Sequence, residues 1–423
     1  MAAVQVASDD FNRADGNIGA NWSMGAGGEA TKPTITSNQA GVTNNSVDEH
    51  AYWSANTFDI DQYAQATIKT VGGSTYSGPQ VRADGNDTIW VEKNGSTNTT
   101  QTIYWYNGGA YTQLGSYGSA GYSANDVIRI EAEGTQVRSY QNGTLRITGN
   151  DVDIPIYNYG SDHGKLYAGL KFSGDTAERW DDWSGGNLYD SLRIRAFKEG
   201  STGASVSSQN ETFNIDSVDD SVLYVVIGSR DATAANLPVS SMTYNGVALT
   251  KIREDLWNSS TYVKSAIWRL INPPTGTNTL AITMAGTCAY IRPQMYHVMS
   301  NNQTTPSETD NGSNNDSGAG ATTKSISVTT STDNDILMDA FWEKDNTDPT
   351  VGTGMIIYGS TSPNAGDDRF RNSIRRVGAA GSYAMAYTWT NTDGYALSVA
   401  ALKPLVAAAG GTTHFLTLLG VGS

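Results

Sequence analysis

A chain of 423 residues carrying 42 acidic against 27 basic side chains has a net charge of −15, which repels a phosphate backbone and excludes nucleic acid as a partner. Only 16% of residues are charged, Gly (45) and Tyr (22) are abundant, helix formers are few, and a lone cysteine, Cys288, excludes an internal disulfide. No apolar run approaches the roughly 20 residues of a membrane span, which leaves polar all-β domains, two or three at this length.

In chain order, the first predicted strand is the acidic and aromatic stretch Ser8-Asp9-Asp10-Phe11-Asn12-Arg13-Ala14-Asp15-Gly16. Period-two alternation then predicts half-buried strands at residues 63–70, 87–93, 101–106 and 127–132, each with one apolar face. Asn94-Gly95, Asn107-Gly108-Gly109 and Asn142-Gly143 fall between such runs and supply the positive φ angles of tight hairpins. Residues 137–145 read as a strand, an Asn-Gly turn and a return strand. The series closes on Ala177-Glu178-Arg179-Trp180-Asp181-Asp182-Trp183-Ser184-Gly185-Gly186. With these two end motifs and the short strands between them, residues 4–188 resemble the concanavalin A-like lectin and laminin-G type jelly roll. The resemblance implies a sandwich whose first and last strands lie side by side, so that residues 1–188 fold alone; it speaks for fold far more than for function.

A second β-sandwich is predicted for residues 189–405. The continuous apolar run 221–228 is of strand length and suits a central strand. Residues 242–250 form a hairpin around Asn245-Gly246, and strands follow at 265–270 and 278–283, separated by Asn272-Pro273-Pro274-Thr275-Gly276. Residues 282–290, which hold Cys288, also read as a strand. Residues 335–341 and 395–402 complete the unit, which resembles a sandwich module of phage and bacterial surface proteins. The Asn/Ser/Gly/Thr stretch 301–324 has almost no apolar residues and reads as a long exposed loop. Residues 406–423 are a short tail: a Gly410-Gly411 hinge, then Phe415, Leu416, Leu418, Leu419 and Val421. Such a run is costly in water and too short for a membrane. We expect it to dock, as a last strand of its own unit or on a neighbouring subunit.

Candidate chemistry is sparse. Catalytic members of the lectin-like superfamily place acid and nucleophile on one strand as Glu-x-Asp-x-x-Glu, and that pattern is missing. The nearest cluster, around Glu178 and Asp182, puts those two on one face of the closing strand and reads as structural. His50, His163, His297 and His414 are scattered, with no Gly-x-Ser-x-Gly elbow and no zinc-ligand spacing. Calcium is the one metal to consider, since the resemblance implies sites near strand ends; Asp9, Asp10, Asp181 and Asp182 are its candidate ligands, and Asp15, Asp59 and Asp61 are further acids of the same kind. Tyr104, Trp105, Tyr106 and Tyr111 cluster beside Gly-rich turns and are the candidate sugar-binding residues.

These readings predict an all-β protein that is not an enzyme. The N-terminus lacks the basic and apolar regions of a signal peptide. A lectin-like surface protein made in a host cytoplasm without an export signal is expected on a virus particle. The chain resembles a tailed-phage structural component: a capsid decoration, head fibre or tail appendage that self-associates and contacts other virion proteins. The alternative is a carbohydrate-binding adhesin that contacts host surface glycans, and a glycoside hydrolase comes third.

Overall fold

The computed structural model describes residues 3–24, 33–43, 48–73, 76–83, 87–94, 100–107, 109–118, 121–150, 167–173, 175–257, 261–308, 313–315, 322–344, 348–361, 368–390 and 394–405. Apart from one 3-10 turn at Ala234–Asn236, the regular elements among the described residues are β-strands. No helix among the described residues is long and apolar enough to cross a membrane.

The first unit is a sandwich of two antiparallel sheets. One has nine strands, in the order Thr144–Asn150, Gln136–Gln141, Val127–Glu133, Gln62–Thr70, Arg179–Asn187, Gln39–Gly41, Thr34–Thr36 and Gly16–Asn17, with Val4–Asp9 also paired to Arg179–Asn187. The other has seven, in the order Ala110–Gly118, Thr100–Asn107, Asp87–Asn94, Gly78–Ala83, Tyr167–Ser173, Asp48–Trp53 and Trp22–Met24. The end motifs lie side by side: Val4 is opposite Asn187 and Ser8 opposite Ser184. Alternation fills the space between the sheets, with Ala64, Ala66, Ile68, Ile128 and Ile130 from one and Ile89, Val91, Ile103, Leu170 and Phe172 from the other. Asn142 (φ 52°) and Gly143 (φ 75°) take the two left-handed positions of a type I′ hairpin, as do Asn245 (φ 49°) and Gly246 (φ 77°) further on.

The second unit is thicker than one sandwich. Its eight-stranded sheet is organised by the strand Gly276–Met299, whose 24 residues pair along their length with Gly203–Ile215, Arg193–Glu199, Val222–Asp231 and Val239–Tyr244. This strand lets the sheet fold over itself. One core, including Phe213, Leu223, Val225, Met242, Leu280 and Cys288, lies within the fold. A second core, with Val222, Tyr224, Val226, Met338, Trp342 and Phe370, joins it to a five-stranded sheet. A third joins the far side of that sheet to a three-stranded one, through Phe341, Leu397, Met385 and Tyr387. Strands 336–343 and 395–402 are buried on both faces, which is why each is apolar at most positions, interrupted by Asp339 and Glu343 in one and Ser398 in the other.

Within the expected loop 301–324, residues 302–305 lie outside strands with Thr304 and Thr305 exposed, whereas other described positions are tied into the fold. Asn301 and Ser307 are buried: Asn301 accepts from the Tyr224 hydroxyl (2.9 Å) and donates to the carbonyls of Pro306 and Lys403. Ser313–Asn315 pairs with Tyr395–Leu402, and Thr323–Thr330 is a strand. At Asn301 the polar side chain satisfies buried backbone carbonyls.

The two units meet through buried charge. Asp61 accepts from the Tyr358 hydroxyl, from Arg376 Nη2 (2.7 Å) and from the Gly134 amide (3.1 Å). Arg376 also reaches Glu133 (3.2 Å) and the Leu192 carbonyl (3.0 Å), and its guanidinium lies 3.6 Å from the centroid of the Tyr189 ring. Asp59 bonds Arg193 and Arg195, each at 3.2 Å. Gly134 has φ 52°, and a Cβ there would meet Ile356, the Ile357 carbonyl and Tyr358, so the turn of one unit seats against a strand of the other through a glycine.

Candidate functional site

Alternation that sends Ile89, Val91 and Ile103 inward sends Thr88, Trp90, Glu92, Tyr104 and Tyr106 to the outer face of the seven-stranded sheet. His50 and Lys171, opposite one another in the ladder, join them, and Tyr111 faces Tyr106 from the edge strand. The aromatic rings form a connected row. Trp90 meets Tyr104 (5.8 Å, stacked), Tyr111 (5.9 Å, edge-on) and His50 (5.3 Å, edge-on), and Tyr106 lies 5.0 Å from Tyr111. Trp90 is buried beneath the row, Tyr104 and Tyr106 are half-buried, and Tyr111 is 55% exposed.

Beneath the rings lies a polar layer. Trp90 Nε1 donates to Glu92 (2.6 Å), and the Lys171 ammonium sits 3.2 Å from Glu92 and 4.4 Å from the centroid of the Trp90 ring. Gln80 donates to the Ala51 carbonyl (3.0 Å), which points its amide oxygen at His50 Nδ1 (3.0 Å) and at the Thr88 hydroxyl (3.2 Å). The acceptor opposite Nδ1 holds the imidazole proton on that nitrogen. The Gln80 amide crosses the ladder over Gly169, where a Cβ would lie 2.9 Å from its nitrogen and 2.1 Å from the Ala51 carbonyl. Burial, with Glu92 beside it, pushes the Tyr104 hydroxyl above its ordinary value. The arrangement presents flat aromatic surface over a fixed polar floor, which suits stacking against an apolar ring face with hydrogen bonding at its rim.

Of the residues expected here, Tyr104, Tyr106 and Tyr111 share the face, and Trp105 does not. Trp105 points inward and packs against the sandwich core, because neighbours in a strand alternate between faces. His50, Gln80, Trp90, Glu92 and Lys171 went unrecognised. Their signal was present in the alternation, since Thr88, Trp90 and Glu92 alternate with Ile89 and Val91, which fill the core between the sheets.

The candidate calcium ligands are engaged otherwise. Asp9 accepts two bonds from Arg13 (2.6 and 2.9 Å), the Phe11 amide (2.9 Å) and Trp22 Nε1 (2.8 Å). Asp10 accepts from the Asn12 amide (3.0 Å), and Asp181 and Asp182 lie 3.8 and 3.9 Å from Lys69. Asp15 takes the Ser37 amide (2.8 Å), and Asp59 and Asp61 belong to the unit interface. Among the described residues no cluster of three His, Cys, Asp or Glu could hold a metal ion. Glu178 and Asp182 do not share a face: a register shift between Asp181 and Ser184 breaks the alternation, leaving Glu178 buried on Trp180 Nε1 (2.8 Å) and the Asp182 side chain 60% exposed. The proposed docking residues Phe415, Leu416, Leu418, Leu419 and Val421 lie outside the described residues, as do His163 and His414.

No known protein family and no curated protein matches the chain. Among solved structures it is similar to the carbohydrate-binding module CBM66 from Bacillus subtilis, at 14% identity over 40% of this chain and 96% of that one, with a TM-score of 0.29. It is also similar to a protein of unknown function with a galectin-like fold from Bacillus subtilis, at 8% identity over 44% and 96% of the two chains (TM-score 0.31). A third is the laminarinase from Rhodothermus marinus, at 12% identity over 44% and 98% (TM-score 0.33). Likenesses at this level say nothing of what this chain binds.

Proposed function

We propose that the first unit is a non-catalytic carbohydrate-binding module that holds a glycan on the outer face of its seven-stranded sheet. The observation that carries this reading is the row of half-buried Tyr104 and Tyr106 and exposed Tyr111 around Trp90, with Glu92, Lys171, His50 and Gln80 fixed beneath it. Aromatic faces of this kind bury the apolar side of a pyranose ring, and the hydroxyl tip of each Tyr reaches the sugar hydroxyls. Glu92 is tied to Lys171 and Trp90, so in this reading it serves as floor and not as acid or nucleophile. A glycan array probed with the full chain, followed by calorimetric titration of any ligand found, tests the proposal. An array without hits removes it, and release of reducing sugar from a bound polysaccharide removes its non-catalytic part.

A further inference from the structure

The seven-stranded sheet carries its aromatic row near one edge, at strands 100–107 and 110–118; the opposite edge is Trp22–Met24. Around that edge lies a cleft of about 820 Å³, lined by Gln65, Asp182 and Ser184 of the nine-stranded sheet and by Trp22 and Trp53 of the seven-stranded one. Asp10 and Asn21 stand at its rim, and Trp22, Trp53 and Trp183 form a mutual cluster at its base, with ring centroids 4.7 to 5.6 Å apart.

Both end motifs bend to open this cleft. The N-terminal strand leaves the ladder after Asp9 and turns at Phe11, which is fully buried at φ 49°; the closing strand bulges at Asp182, at φ 48°. A buried aromatic residue in the left-handed region is an outlier, held only where the surroundings over-determine it. The surroundings here are the Asp9 carboxylate, which accepts from the Phe11 amide, Arg13 and Trp22 at once, and the Ile18 carbonyl, which accepts from Arg13. Arg13 is therefore spent on bracing the wall. Arg13 also lines the cleft, with its charge met by Asp9; beside it the lining offers the carboxylates of Asp10 and Asp182, the amides of Asn21 and Gln65 and the Ser184 hydroxyl, with Lys69 beside Asp182. Such a lining repels an anion and offers acceptors and donors to vicinal hydroxyls, and the volume falls within the ~300–1,000 Å³ of small-molecule sites.

We infer that this cleft is a second ligand site, separate from the aromatic row, that takes an uncharged polyhydroxyl ligand of one or two sugar units. It does not rest on the proposed function of the row. The test titrates the full chain with neutral oligosaccharides of glucose, galactose and fructose, two to four units long, reading tryptophan fluorescence from the cluster at the base. The wall variants are Asn21→Ala, Gln65→Ala and Asp182→Gly, the last suited to the positive φ; Tyr111→Ala serves as the control on the other site. The expected result is a saccharide whose binding weakens at least tenfold in the wall variants and is unchanged in Tyr111→Ala. Binding that responds to Tyr111→Ala alone overturns the cleft and leaves the row standing. Absence of binding by every saccharide in the panel overturns the cleft, whatever the array shows for the row. If one wall variant fails to fold, judged by its thermal midpoint, the other two decide.

Discussion

At Tyr111 more than half of the side chain is open to solvent, whereas Trp105 packs against the core from the opposite face of the neighbouring strand. Tyr111→Ala should weaken glycan binding about tenfold, a loss of about 1.4 kcal/mol, without moving the denaturation midpoint. Trp105→Ala should leave the binding face in place and destabilise the fold by roughly 2 kcal/mol, less than a fully buried tryptophan, as urea unfolding would read. Sequence proximity grouped these residues, and the alternation that separates them was legible in the same stretch. Burial also sets the pH response. It pushes Asp339 up to about 7 although Ser373 and Tyr387 donate to it, and it pushes Asp335 up to about 7 with Glu308 adding repulsion. A carboxyl whose folded value lies above its unfolded one contributes stability that is present below about pH 4 and is lost as pH rises through about 7. Denaturant midpoints should therefore fall between pH 4 and pH 7, and Asp339→Asn should flatten that slope; an unchanged slope counts against the Asp339 assignment.

Elements with one buried face or two buried faces were readable, because both patterns follow from where side chains alternate. The strands at 62–70, 127–133, 222–231 and 395–402 coincide with their predicted runs to within a few residues. What local pattern cannot carry is register. The bulge at Asp181–Ser184 arises from pairing with a strand more than a hundred positions away, and it moved Asp182 off the face that Glu178 was expected to share. The length of Gly276–Met299 was hidden for a similar reason, since its inward face changes partners midway and the alternation resets. Gly169 tests how register supports the binding face. Gly169→Ala places a methyl against the Ala51 carbonyl and the Gln80 amide, so it should cost more than about 2 kcal/mol of stability and release His50 from Gln80. Amide and imidazole NMR shifts would show that release; an unaltered His50 signal would show that the face does not depend on this crossing.

For the molecule as a whole, the junction of the two units was beyond sequence reading, since no local signal joins Asp61 to Arg376. Removing one partner of a buried ionic cluster leaves the others uncompensated. Arg376→Ala should lower stability by about 3–5 kcal/mol in thermal or denaturant unfolding, and Asp61→Asn combined with Arg376→Met should recover part of that loss. If Arg376→Ala melts like the parent chain, the junction contributes no cohesion. Deleting residues 410–423 of the tail should leave both units folded, with an unchanged melting profile, while abolishing self-association in sedimentation, and a truncated chain that associates normally removes the docking reading. The pairing of the first unit's end strands has a mechanical consequence. Val4 lies opposite Asn187, so a pull between the N-terminal end and residues 189–405 loads both strands at the same end of their ladder. Bonds then break one after another like the teeth of a zipper, rather than sharing the load in shear. In an optical trap, the first extension should come at low force and release the six residues of Val4–Asp9, well before either sandwich yields.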